Sequence, residues 1–103
     1  MSRTTLPPRR PSITIDLEQD GFAYRATIGY GHDGRPAELF LDAGKAGSTL
    51  DIATRDAAVA VSIALQYGCP IDVLRGAFLR EEDGAPAGIL ARVMDTLKQE
   101  GIA

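Results

Sequence analysis

The loop around Lys45 is the strongest candidate for binding chemistry in this sequence. It reads Gly44-Lys45-Ala46-Gly47-Ser48 and lies between a predicted strand and a predicted helix. Free backbone N–H groups, the positive end of a helix and a lysine could together hold a phosphate or carboxylate. The loop is not a Walker A motif, in which four residues separate the first glycine from the Gly-Lys pair. The candidate anion- or nucleotide-binding residues are Gly44, Lys45, Gly47 and Ser48; turn glycines beside a helix cap are the simpler interpretation.

The other reactive side chains are too few and too scattered for independent catalysis. Cys69 is the only cysteine, so no second thiol could resolve an oxidised form. His32 is the only histidine, and together with Asp33 it supplies too few ligands for a specific metal site. The acidic run at residues 81–83 is typical of a solvated loop. We therefore predict no catalytic residue and no metal site, and a chain that is not an enzyme alone.

A helix-turn-helix is an alternative interpretation of the region around Gly68-Cys69-Pro70, with residues 71–79 as the helix that reads DNA. Arg75 is the only basic residue well inside that helix. The whole chain has 11 basic and 14 acidic residues, a formal net charge of -3. A DNA-binding protein needs several phosphate contacts, so nucleic acid is not the expected partner.

The first half of the chain predicts three antiparallel strands. Apolar and polar residues alternate over residues 12–17, 22–30 and 37–42, as half-buried strands require. Asp20-Gly21 is a strong signal for a tight hairpin between the first two strands. The run Gly31 to Pro36 has turn composition and connects the second strand to the third. The predicted sheet is therefore a meander.

The second half predicts three helices. Ser48 can cap the first helix, residues 49–67, in which Val59 and Ile63 widen the apolar stripe expected to be buried. Pro70 suits the start of a second, shorter helix, and Pro86 suits the start of a third. The expected fold is α+β, in the order βββααα, with the helices packed on one face of the sheet.

Domain organisation and compartment follow from length and composition. A chain of 103 residues with 45% hydrophobic and 24% charged residues predicts one globular domain, residues 12–100. Residues 1–11 are basic and proline-rich and predict a flexible arm. A single cysteine and the lack of a long apolar run favour the cytoplasm and exclude a membrane span.

Three residues are predicted to bind a partner. Arg9 and Arg10 lie in the basic arm, and Phe40 points to the sheet face opposite Leu39 and Leu41. An aromatic side chain on an open sheet face favours association, and we expect a homodimer.

Four segments together resemble a known domain. They are Arg9-Arg10-Pro11-Ser12, Gly34-Arg35-Pro36-Ala37-Glu38-Leu39-Phe40-Leu41, the Gly44 to Ser48 loop, and Ala64-Leu65-Gln66-Tyr67-Gly68-Cys69-Pro70. In order and spacing they are similar to the TSCPD domain. That domain is found at the C-terminal end of adenosylcobalamin-dependent (class II) ribonucleotide reductases and in short stand-alone proteins. The namesake Thr-Ser-Cys-Pro-Asp motif is replaced here by residues 83–87, Asp-Gly-Ala-Pro-Ala.

The resemblance implies a role in ribonucleoside-diphosphate reduction. The expected partner is a catalytic ribonucleotide reductase chain or a relative, on which this chain would act as an accessory or regulatory module. Adenosylcobalamin would belong to that partner, and no cofactor is expected on this chain. Two alternatives stay open, a nucleotide or phosphate sensor at the Lys45 loop and the helix-turn-helix regulator.

Overall fold

The computed structural model describes residues 2–44 and 47–101, which form three strands followed by three helices. The strands are β1 (Ser12–Gln19), β2 (Phe22–Tyr30) and β3 (Pro36–Ala43). The helices are α1 (Thr49–Gln66), α2 (Ile71–Ala77) and α3 (Ile89–Gln99). The predicted α+β fold in the order βββααα is therefore confirmed.

The three strands form an antiparallel meander in the order β1-β2-β3. Asp20 and Gly21 both have positive φ, 53° and 81°, which is the conformation of the two central residues in a tight hairpin turn. This turn fixes the register so that Gln19 pairs with Phe22 and Ile15 with Ala26. The register between β2 and β3 shifts once, between Gly29 and Tyr30, next to the turn that follows β2.

One face of the sheet carries the core, and the helices cover that face. Helix α1 packs along β3, α3 approaches β1, and α2 packs on α3. The buried apolar side chains come from β2, β3 and the three helices; the largest of those that are fully buried are Ile28, Leu41, Val93, Met94 and Leu97. Within the described residues no helix is long and apolar enough to cross a membrane.

Helix α1 also closes the outer edge of β3 through its side chains. The Ser62 hydroxyl accepts a hydrogen bond from the Leu39 N–H at 2.8 Å and donates to the Leu39 carbonyl at 3.1 Å. Gln66 donates from Nε2 to the carbonyl of Ala37 at 3.0 Å. A strand edge normally exposes such groups to pairing with other chains, so these bonds protect β3.

The apolar stripe of α1 is narrower than its sequence predicts. Val59 is 57% exposed and Ile63 is 38% exposed, whereas Ala58 and Val61 are buried. Because α1 lies along β3 at the side of the sheet, only part of its circumference meets the core. The prediction that Val59 and Ile63 widen the buried stripe is wrong.

The second and third helices differ from prediction at their ends. Helix α2 stops at Ala77, because Phe78 has extended backbone angles, φ -74° and ψ 149°. Helix α3 begins at Ile89, later than the predicted start at Pro86. Pro86 instead forms an isolated antiparallel bridge with Arg80, which holds the α2–α3 connection in an extended turn.

An ion-pair cluster fixes this α2–α3 connection to α3. Arg80 donates from Nη1 and Nη2 to the Asp95 carboxylate, at 2.8 and 2.7 Å, and Arg75 Nε donates to it at 3.0 Å. These bonds lower the pKa of Asp95 from 3.8 to about 2, and hydrogen bonding from Arg80 has the largest effect. A bidentate pair of this kind, partly shielded from solvent, is stronger than an ordinary surface pair.

The segment before β1 contacts the domain at several points. Arg3 Nε donates to the side-chain oxygen of Gln66, and the Thr4 N–H donates to the backbone carbonyl of Gln66. Arg10 donates to Glu38. The Glu38 side chain lies over Gly29, and a Cβ atom at position 29 would come within 2.7 Å of the Glu38 carboxylate. The flexibility of residues 1–11 in solution stays a prediction.

We predict that Ser62→Ala destabilises the protein by about 1–2 kcal/mol, because it leaves the Leu39 N–H and carbonyl without their partner. Urea denaturation would measure this. The matched control is Thr96→Ala, since among the described residues the Thr96 hydroxyl bonds only to a carbonyl of its own helix. Equal effects of the two substitutions would contradict the protective role of Ser62.

We predict an acid-dependent loss of stability at Asp95. The pKa of Asp95 is lower in the folded chain than in the unfolded one, so its contribution is complete above about pH 5 and is lost as pH falls towards 2. The contribution is roughly 1–2 kcal/mol, allowing for the partial exposure of the arginines. Asp95→Asn should remove this part of the pH dependence of unfolding, measured by denaturant titration at several pH values.

The control for this experiment is Asp16→Asn. Asp16 pairs with Arg25 on the surface, where both side chains are mostly exposed. Surface pairs contribute little to stability, so this variant should keep the acid transition of the native chain. Identical pH profiles of native protein and Asp95→Asn would contradict the prediction.

Candidate functional site

The loop before α1 is organised around the carboxylate of Asp51. Its two oxygens accept hydrogen bonds from the backbone N–H groups of Ala43 and Gly47, each at 3.1 Å. These two bonds hold the pKa of the Asp51 carboxyl below its ordinary value, and the bond from Ala43 has the larger effect. The Ser48 hydroxyl accepts from the Asp51 N–H at 3.2 Å, which is the expected N-cap. Asp51 is only 3% exposed, so we assign its carboxylate a structural role.

These bonds bear on the candidate anion site. Gly47 donates its N–H to Asp51, and Gly44 donates its N–H to the carbonyl of Ala23. Ser48 is engaged as the helix cap, and Lys45 lies outside the described residues. An external anion would therefore compete with the chain's own carboxylate for the Gly47 N–H. Nucleotide or phosphate binding at this loop stays a prediction.

Phe40 stands beside a shallow groove between β3 and α1. Its side chain is 54% exposed on the open sheet face, as its strand position predicts. Val59 and Ile63 lie across the groove on α1, and Arg55 lies at one end, paired with Asp42 at 2.8 Å. The groove has a volume of about 340 Å³. We call this Phe40-Val59-Ile63 surface the β3–α1 groove.

The two arginines predicted to bind a partner lie in different environments. Arg9 is exposed. Arg10 forms an ion pair with Glu38 and also donates to the carbonyl of Pro7 at 2.9 Å. Arg10 is thus engaged within the chain, whereas Arg3, which the sequence interpretation did not select, lines the β3–α1 groove.

A second concavity brings together two of the segments that carry the family resemblance. The turn with Arg35 and Pro36 lies on one side, and the connection Gly68-Cys69-Pro70 lies on the other. We call this concavity the motif cleft, and its volume is about 470 Å³. Sequence spacing does not show that these segments meet, because the strand β3 and the whole of α1 separate them.

The charges in the motif cleft are balanced. Lys98 Nζ lies 3.2 Å from Asp72, and Arg35 Nε lies 3.9 Å from Asp33. Asp72 and Lys98 were not predicted as site residues from the sequence, because they lie on different helices, α2 and α3. The Cys69 thiol makes a long contact, 3.7 Å, to the carbonyl of Pro70. The cleft is suited to a polar contact and offers no excess charge for an anion.

The remaining candidates are distributed over the surface. His32 is exposed in the turn after β2, and the acidic run at residues 81–83 is exposed between α2 and α3. Within residues 2–44 and 47–101, no group of three or more histidine, cysteine or acidic side chains is arranged to hold a metal. Arg75, the basic residue of the helix-turn-helix alternative, is bonded to Asp95 and lies 3.6 Å from Asp72.

The chain is similar to a small part of much longer proteins. A vitamin B12-dependent ribonucleotide reductase of Rhodopirellula baltica is 37% identical over 76 residues, which are 74% of this chain and 7% of that protein. The enzyme of the same name from Bradyrhizobium diazoefficiens is also 37% identical over 76 residues, 6% of its length. That of Streptantibioticus cattleyicolor is 38% identical over 90 residues, 84% of this chain and 14% of the relative.

This chain therefore spans between about one-seventeenth and one-seventh of the length of these relatives. No protein-family model matches the sequence. No solved structure matches it either.

Proposed function

We propose that this chain is an accessory module of the TSCPD type that docks on the catalytic chain of a vitamin B12-dependent ribonucleotide reductase, or on a relative of that chain. The observation that carries the proposal is the similarity of most of the chain to a small part of several reductases that bear this name. The module has no turnover of its own. Adenosylcobalamin and the reacting nucleotide belong to the catalytic chain.

The β3–α1 groove is the docking surface in this proposal. Phe40, Val59 and Ile63 place apolar side chains in solvent on two adjoining elements. Buried aromatic residues carry much of the affinity at protein interfaces, and an arginine at the rim, here Arg55, is a common second anchor. Ser62 and Gln66 hold α1 against β3 below the groove.

The N-terminal segment borders the same surface. Arg3 lines the groove and is bonded to Gln66, and Arg10 is paired with Glu38 at the start of β3. The exposed Arg9 adds a positive charge nearby in the sequence. Arg3 and Arg9 form no ion pair among the described residues, and they favour an acidic rim on the catalytic chain, which would raise the rate of association at low salt. The charge of Arg10 is balanced by Glu38.

We predict that Phe40→Ser weakens binding to the catalytic chain by about 30-fold or more, the effect of losing an aromatic anchor. Binding would be measured by calorimetry, with the purified catalytic chain of the same organism, adenosylcobalamin and low salt. Nucleotide reduction by the catalytic chain, with and without this protein, would give the functional effect.

The matched control is Phe22→Ser. Phe22 is 52% exposed, nearly as much as Phe40, but it lies next to the β1–β2 hairpin, away from the β3–α1 groove. Phe22→Ser should therefore bind like the native chain. Absence of binding by the native chain would overturn the proposal, and equal losses in both variants would overturn the groove as its site.

A further inference from the structure

The outer edge of β1 is open, in contrast to that of β3. The Tyr30 N–H donates to the Pro11 carbonyl at 3.0 Å, which places the odd-numbered residues of β1 in the hydrogen-bonded pairs with β2. The N–H and carbonyl groups of the even-numbered residues therefore point away from the sheet; these residues are Ser12, Thr14, Asp16 and Glu18. Among residues 2–44 and 47–101, no hydrogen bond uses these backbone groups.

The core face of β1 is also incompletely covered. Ile13, Ile15 and Leu17 are only partly buried, whereas the equivalent side chains of β3, Leu39 and Leu41, are each 2% exposed. Helix α3 approaches β1 without closing its flank. An added strand would pair the free backbone groups and cover these three apolar side chains in one step.

The sequence of β1 is complementary to itself in one antiparallel register. If a twofold axis passes through Ile15, the residue numbers of each facing pair, one residue from each copy, add up to 30. On the core face, Ile15 then meets Ile15 and Ile13 meets Leu17. On the open face, Asp16 meets Thr14 and Glu18 meets Ser12. Every acidic side chain thus faces a hydroxyl group.

The neighbouring registers are less favourable. A shift by two residues towards the hairpin places Asp16 opposite Asp16, and like charges directly opposite each other destabilise a strand pair. A shift in the other direction places Leu17 opposite Pro11, which loses the apolar pair formed by Ile13 and Leu17 and brings a proline into the edge.

We propose that two copies of this chain pair through β1 and form a continuous six-stranded antiparallel sheet with Ile15 on the twofold axis. The occupant of the open edge is a second copy because the register aligns both its apolar and its acidic side chains without conflict. This pairing uses the edge opposite the β3–α1 groove, so it stands independently of docking on a catalytic chain.

The first test changes the charge opposite Asp16. Thr14→Asp places a carboxylate opposite Asp16 of the second copy twice in each dimer, and should raise the dimer dissociation constant about three- to tenfold. Thr14→Lys places an ammonium group there and should lower the constant by a similar factor. Sedimentation equilibrium of the full chain would measure both.

The controls are Thr27→Asp and Thr27→Lys. Thr27 bonds to Thr14 on the same sheet face, 3.2 Å between hydroxyl oxygens, but it lies in the central strand. Its variants should dimerise like the native chain. A native chain that stays monomeric at high concentration, or equal effects of both Thr14 variants, would overturn the proposal.

The second test reads the register by crosslinking. In a Cys69→Ser background, Ile15→Cys should form an intermolecular disulfide under mild oxidation, because facing residues in a non-hydrogen-bonded pair lie about 4.5 Å apart. Ile13→Cys should not link to itself, since the two copies of position 13 lie four residues apart along the strands, roughly 13 Å.

Mixing Ile13→Cys with Leu17→Cys should restore the crosslink. Circular dichroism would check that each variant is folded. Crosslinking of Ile13→Cys alone, or equal yields at all three positions, would overturn the register. Should Ile15→Cys fail to fold, the Thr14 variants and the mixed pair still decide between the outcomes.

Discussion

The closure of the β3 edge by α1 is the interaction on which the rest of this structure depends. Asp51, Ser62 and Gln66 stand on one side of the helix, and each reaches a backbone group of β3. A buried backbone group without a partner costs about as much as a lost hydrogen bond, so these residues set both the position and the rotation of α1. The core beneath β3 is sealed as a result, with Leu39 and Leu41 almost fully buried.

The same placement of α1 creates both concavities. Because the helix lies along the side of the sheet, Val59 and Ile63 remain in solvent next to Phe40 and form the β3–α1 groove. The end of α1 falls beside the start of β3, which brings Cys69 to the turn containing Arg35. Two segments that are distant in sequence thus meet because one helix spans the full length of one strand.

Much of the fold could be predicted because its signals are local. Alternating residues identify the strands, Asp20-Gly21 identifies the hairpin, and Ser48 identifies the start of α1. The start of α3 could not be predicted from Pro86, since a tertiary bridge to Arg80 decides the conformation there. Phe40 was found from strand alternation, but its neighbours on α1 were not, because hydropathy does not show which side of a helix the sheet leaves uncovered.

A sheet with one sealed edge and one open edge has a built-in limit to growth. If both edges were free, copies could add side by side without end, as in a fibril. Here the hydroxyl of Ser62 and the amide of Gln66 already occupy backbone groups along β3 that a further strand would need. Edge-to-edge association through β1 consumes the open edge of each copy and stops at two, which favours a closed pair over a polymer.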